Sequence, residues 1–134
     1  MKTHFSPKNN PRVIIIQKLY GKIFNNEENL SFPKHRFKKF IKDVVLGSIE
    51  RNELIMNELE TKLGHEFSLN NLDKVFQTIL TAATYELLYK PNLSLNIIIK
   101  EYLNSSNFFL ENSQTKYLNA LLDNIGKKLR SKNA

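Results

Sequence analysis

Apolar residues recur at intervals of three and four along nearly the whole chain, with only four glycines and four prolines as punctuation. That spacing lines one stripe of a helix, whereas a half-buried strand needs strict alternation. No alternating stretch and no repeat of fixed period is present. The fold class expected is therefore all-α, with about six helices. At 134 residues, 41% of them hydrophobic, the chain can bury one core without metal or disulfide staples. It has no cysteine, which excludes disulfides and thiolate metal sites and fits a reducing compartment. No apolar run reaches membrane-spanning length, and the start Met1-Lys2-Thr3-His4-Phe5-Ser6-Pro7 lacks the apolar stretch of a signal peptide. A cytoplasmic location is expected.

Asn10-Pro11 is a helix start, since Asn can accept from orphan amides and Pro suits the first turn. Ile16, Leu19, Tyr20, Ile23 and Phe24 follow at helical spacing, and residues 25–29 read as a loop. Residues 33–63 predict one long helix with Phe37, Phe40, Ile41, Val44, Ile55 and Leu59 inward. Gly47-Ser48 marks a bend or a close crossing within it, and Gly64 a stop. After a connector at 65–70, where Ser68 or Asn70 could cap, residues 72–89 form a helix. Its inward face is Leu72, Val75, Phe76, Ile79, Leu80, Ala83 and Leu87, and Lys90-Pro91 ends it. Ser94 caps a segment over 95–107 that buries Ile98, Ile99, Tyr102 and Leu103. Asn112-Ser113 caps the last helix, with Tyr117, Leu118, Leu121, Leu122, Ile125 and Leu129 inward. Lys127, Lys128 and Arg130 complement that helix's C-terminal dipole.

The formal charge of +7 is unevenly placed. Residues 1–46 hold ten bases against three acids, and residues 47–134 hold ten of each. A concentrated positive field suits a polyanion, nucleic acid before membrane, though a merely soluble surface accounts for the charge equally well. Chemistry beyond binding finds no footing. The glycines are isolated, so no phosphate-cradling loop is formed. His4, His35 and His65 lie far apart and read as separate surface or loop residues. Glu53, Glu58 and Glu60 form a solvated face, with Glu58 and Lys62 at the favourable four-residue spacing. No catalytic residue, metal site or cofactor is expected, and the chain is not read as an enzyme.

The N-terminal arm stands out. Lys2, His4, Lys8 and Arg12 surround a Pro-bearing segment, residues 1–10, that leads into the first helix. Such an arm can track a phosphate backbone, each base releasing a counterion. Tyr20, two turns beyond Arg12, could stack an unpaired base or simply edge the core, and spacing alone favours the core.

Four segments in order carry a resemblance. They are Arg12-Val13-Ile14-Ile15-Ile16-Gln17-Lys18-Leu19-Tyr20, Ile79-Leu80-Thr81-Ala82-Ala83-Thr84-Tyr85-Glu86-Leu87, Ile97-Ile98-Ile99-Lys100-Glu101-Tyr102 and Lys116-Tyr117-Leu118-Asn119-Ala120-Leu121-Leu122-Asp123. Together they resemble the NusB family of transcription antitermination factors along nearly the whole length. The resemblance implies two small three-helix bundles in a single domain, residues 1–134. It implies binding of single-stranded boxA RNA in nascent ribosomal RNA together with NusE, a ribosomal protein. That complex joins RNA polymerase and suppresses premature Rho-dependent termination.

By resemblance, RNA is held at Arg12, Tyr20, Lys116 and Tyr117, while Lys2 and Lys8 match the family's basic arm by location only. On that basis Tyr20 shifts towards RNA contact. Both homodimers and monomers occur among members, and no residue here decides between them. Two departures are visible. Lys8-Asn9-Asn10-Pro11-Arg12 replaces an arginine-rich arm, exchanging planar donors for a point charge. Phe76-Gln77 and Thr81 replace charged residues of the pattern, altering the charge of that helix. The alternatives are a NusB-like accessory domain of a ribosomal RNA cytosine methyltransferase, or a helical module that binds only proteins.

Overall fold

A computed structural model describes residues 9–24, 30–64 and 67–130. Six α-helices follow in order: α1 (Pro11–Phe24), α2 (Lys38–Glu50), α3 (Asn52–Leu63), α4 (Lys74–Tyr89), α5 (Leu95–Ser106) and α6 (Asn112–Leu129). A single 3₁₀ turn, Leu69–Asn71, precedes α4, and no strand occurs among the described residues. The trio α1–α3 and the trio α4–α6 share one core, because α4 packs against all five other helices.

That central position explains the composition of α4. Residues 78–87 are buried without interruption, including Thr78, Thr81, Thr84 and Glu86 as well as the apolar face. The one-sided pattern expected from sequence understates this, since Val75 and Leu72 are only half-buried while Ala82 is enclosed. Two of the threonines, Thr78 and Thr81, fit because their hydroxyls are served locally. Thr78 donates to the Lys74 carbonyl at 2.9 Å and Thr81 to the Gln77 carbonyl at 2.8 Å.

The single helix expected over residues 33–63 is two helices. The break falls at Arg51, whose backbone (φ −106°, ψ 23°) leaves the helical region, while Gly47 and Ser48 lie inside α2. Gly47 instead permits a close crossing, since a Cβ there would run into the Tyr85 ring of α4. Residues 33–37 stay outside α2 because His35 makes a turn. Its carbonyl accepts from the Lys38 amide at 3.1 Å, and its Nδ1 accepts from the Phe37 amide at 2.9 Å. Gly64, at φ +95°, ends α3 as expected of a left-handed stop.

Caps were partly legible. Ser94 accepts from the Ile97 amide at 3.1 Å, as its position suggested. The N-cap position of α4 is Asp73, whose side chain makes no capping hydrogen bond, and not Ser68 or Asn70, which belong to the preceding 3₁₀ turn. The cap of α6 is Glu111 in a capping box with Gln114, one residue before the expected Asn112-Ser113. The basic end of α6 serves its neighbours. Lys128 donates to the Lys62 carbonyl of α3 at 2.7 Å, and Arg130 donates to the carbonyls of Leu87, Lys90 and Leu93 at 3.0, 3.0 and 2.6 Å. These carbonyls lie at or just past helix C-termini, so the two cations satisfy groups that the helices cannot.

Candidate nucleic-acid interface

The chain enters α1 through a firmly held root. Asn10 Oδ1 accepts from the amides of Arg12 and Val13 at 2.9 and 3.2 Å, and from the Ser105 hydroxyl at 3.2 Å. The Asn9 carbonyl accepts from His35 Nε2 at 2.8 Å. Both His35 bonds together place the ring proton on Nε2, because Nδ1 must accept. Capping of α1 by Asn10 is thus joined to α5 and to the turn before α2. Lys2, Lys8, His4 and His65 lie outside the described residues.

Arg12 points inward. Its Nε and Nη2 donate to Glu86 at 3.2 and 2.6 Å, and the Tyr102 hydroxyl donates to the same carboxylate at 2.5 Å. Arg12 is 8% exposed, and Glu86 and Tyr102 are fully enclosed. Burial opposes the Arg12 cation most strongly, but Glu86, Tyr102 and Glu101 together outweigh it and the pKa is raised. Burial, then Glu86, pushes the Tyr102 phenol well above its ordinary range, so it stays a neutral donor. Turning Arg12 to a phosphate would strand Glu86 without its cation, which costs about 3–5 kcal/mol. Glu86 was missed in the sequence. The available signal was an acid within the apolar run Tyr85-Glu86-Leu87, which requires a buried partner.

The two tyrosines meet elsewhere. Tyr20, half-buried, packs on Phe24 with centroids 5.4 Å apart. With Ile16, Gln17, Val75 and Phe109 it lines a cleft of about 290 Å³. Tyr117, expected on the inward face of its helix, is 47% exposed, its ring 5.6 Å from that of buried Phe76. Val75 and Phe76 are consecutive at the start of α4, so both tyrosines pack near that helix end, on faces about 100° apart. Lys74, the first residue of α4, lies 5.7 Å from the Phe24 ring, and Lys116 is exposed. Glu86, where Arg12 is bound, is roughly 16 Å further along α4 at the helical rise. Tyr20 and Tyr117 thus each pack near the start of α4, and the Arg12 guanidinium is held apart from them. Phe76, Phe109 and Lys74 complete the patch and carry no distinctive local signal in the sequence.

Fold and site together define an all-helical protein organised around one central helix, with two tyrosines packed at that helix's start. Residues 9–127 match the model of the NusB family, and the chain belongs to that family. Among proteins named Transcription antitermination protein NusB, that of Novosphingobium aromaticivorans is 33% identical over 91 residues, covering 68% of this chain. That of Sphingopyxis alaskensis is 30% identical over 93 residues, covering 69%. That of Bartonella tribocorum is 30% identical over 87 residues, covering 65%. The matched stretch spans 62%, 62% and 56% of these relatives' own lengths. The solved structure of T. maritima NusB is similar with a TM-score of 0.78 at 25% identity, covering 99% of this chain and 97% of that one. Among the described residues no helix is long and apolar enough to cross a membrane.

Proposed function

We propose that this chain is a non-enzymatic, cytoplasmic transcription antitermination factor. In this reading it binds the single-stranded boxA element of nascent ribosomal RNA with NusE, within the RNA polymerase antitermination complex, and suppresses premature Rho-dependent termination. The observation that carries the reading is the placement of Tyr20 and Tyr117 at one end of α4 with Lys74 and Lys116 near them. Exposed aromatic faces stack unpaired bases with little regard to sequence, and nearby ammonium groups neutralise phosphates. Tyr20, Lys116 and Tyr117 are the proposed direct contacts, and Lys2 and Lys8 extend the basic track along the arm. Arg12 contributes by fixing the root from which that arm departs.

The test is a titration of the full chain with boxA RNA and with a scrambled strand, with and without NusE, at two salt concentrations. Preference for boxA, strengthened by NusE and weakened by salt, is the expected result. Equal affinity for both strands in the presence of NusE would refute the assignment.

A further inference from the structure

A second surface lies at the other end of α1. Phe37 and Phe40, at the start of α2, face Pro11 and Arg12 of α1 together with Leu93 and Ile97 beside α5, enclosing a cleft of about 280 Å³. A hollow of about 510 Å³ adjoins it across Phe37 and Phe40, edged by Arg36, Lys39, Asp43 and Lys90. The floor is open to solvent, with Phe37 37% and Ile97 50% exposed.

The charge around this cleft is one-sided. Lys34, Arg36, Lys38, Lys39 and Lys42 are all exposed, and none makes an ion pair with a described residue. Of the two acids that line the cleft and hollow, Asp43 is already paired with Lys90, leaving Glu101. Three of the bases cluster at the first turns of α2, where the helix dipole disfavours cations, and no acid lies in that first turn. A carboxylate delivered there from outside would meet both the lysines and the positive helix end.

The floor decides which kind of acid fits. Arg12 and Lys90 lie 5.0 and 5.8 Å from the centre of the Phe40 ring, and Arg36 lies 5.4 Å from that of Phe37. Cations already lie against these rings, so the floor offers poor stacking platforms for bases. The remaining floor, exposed Ile97 and half-buried Leu93 beside buried Pro11, is aliphatic and takes apolar side chains instead. We infer that this cleft docks an acidic protein segment, whose apolar anchors fill the Leu93–Ile97 side of the floor and whose Asp or Glu side chains pair with the α2 lysines. This surface is separate from the tyrosine patch and does not depend on the RNA reading.

The probe is a random 12-residue peptide library displayed on phage and selected against the full chain. Enriched peptides should carry apolar anchors flanked by acids. Their binding should fall at least tenfold in Ile97→Asp and in the double variant Lys38→Glu/Lys39→Glu. Both variants place acids in the first turn of a helix at exposed positions, so the fold is retained, and circular dichroism checks this. The inference fails if no such peptides are enriched or if either variant binds them unchanged. It also fails if a 12-nucleotide poly(U) strand, rather than the peptides, loses tenfold affinity in both variants, which would make the surface a nucleic-acid track.

Discussion

Glu86, enclosed in the middle of the protein, holds Arg12 across seventy-four positions of sequence, with Nη2 to Oε1 at 2.6 Å. The pair joins the first turn of α1 to α4, and Tyr102 adds α5 through its hydroxyl. Three helices are thus tied at the point where the N-terminal arm meets the fold.

Removing either charge should be costly. Arg12→Ala or Glu86→Ala is expected to lower unfolding free energy by about 3–5 kcal/mol, because each leaves a buried charge unmatched. The double variant Arg12→Met/Glu86→Leu should recover most of that loss. Urea denaturation of the three proteins measures the coupling. A loss in the double equal to the sum of the two singles would mean that the two charges are not coupled.

Alkaline stability should report Tyr102. Its folded pKa is raised by burial and by Glu86, so the folded state keeps the proton after the unfolded chain has lost it. Stability from this group is complete below the unfolded value, about 10, and declines as pH rises above it. Tyr85, raised by burial and by Asp43, adds in the same direction. Denaturation midpoints measured from pH 8 to 11 should stay level and then fall. Tyr102→Phe should be less stable at pH 8 by about 1.5–3 kcal/mol, the worth of a hydrogen bond to a charged group, and should fall less steeply above pH 10.

The α2–α4 crossing depends on a missing Cβ. Gly47→Ala drives a methyl into the Tyr85 ring and should destabilise the protein by about 1–3 kcal/mol, despite alanine's better helix propensity. Tyr85→Leu in the same chain should relieve part of the cost, a non-additivity visible in thermal melts. A stabilised Gly47→Ala protein would contradict the close approach.

RNA binding should separate from stability at Tyr117. Being 47% exposed, it can be changed to Ala with a modest stability cost, while affinity for boxA RNA should drop by about 1–3 kcal/mol. Tyr117→Phe should retain most of the affinity, since stacking needs only the ring. Lys116→Ala should reduce the salt slope by about 0.7, one phosphate's share for a single strand. Full affinity in Tyr117→Ala would place the bases elsewhere.

Local sequence determined the helices, because helical spacing and caps depend on residues only three or four apart. Asn10, Ser94 and Gly64 act where their neighbours indicated. The break at Arg51 was not legible, since no proline or glycine marks it. Nor was the burial of α4 on all sides, because a hydrophobic stripe describes one packing partner and this helix has five.

The site divides in the same way. The family resemblance singled out Arg12, Tyr20, Lys116 and Tyr117, but the sequence could not say which of them point outward. Arg12 and Tyr117 exchanged their expected surroundings, the cation turning in to Glu86 and the aromatic turning out over Phe76. Only tertiary structure decides such orientations, because a side chain's surroundings are set by helices far away in sequence. Whether a charge can be buried depends on an opposite charge arriving from another helix, and no local pattern records that arrival.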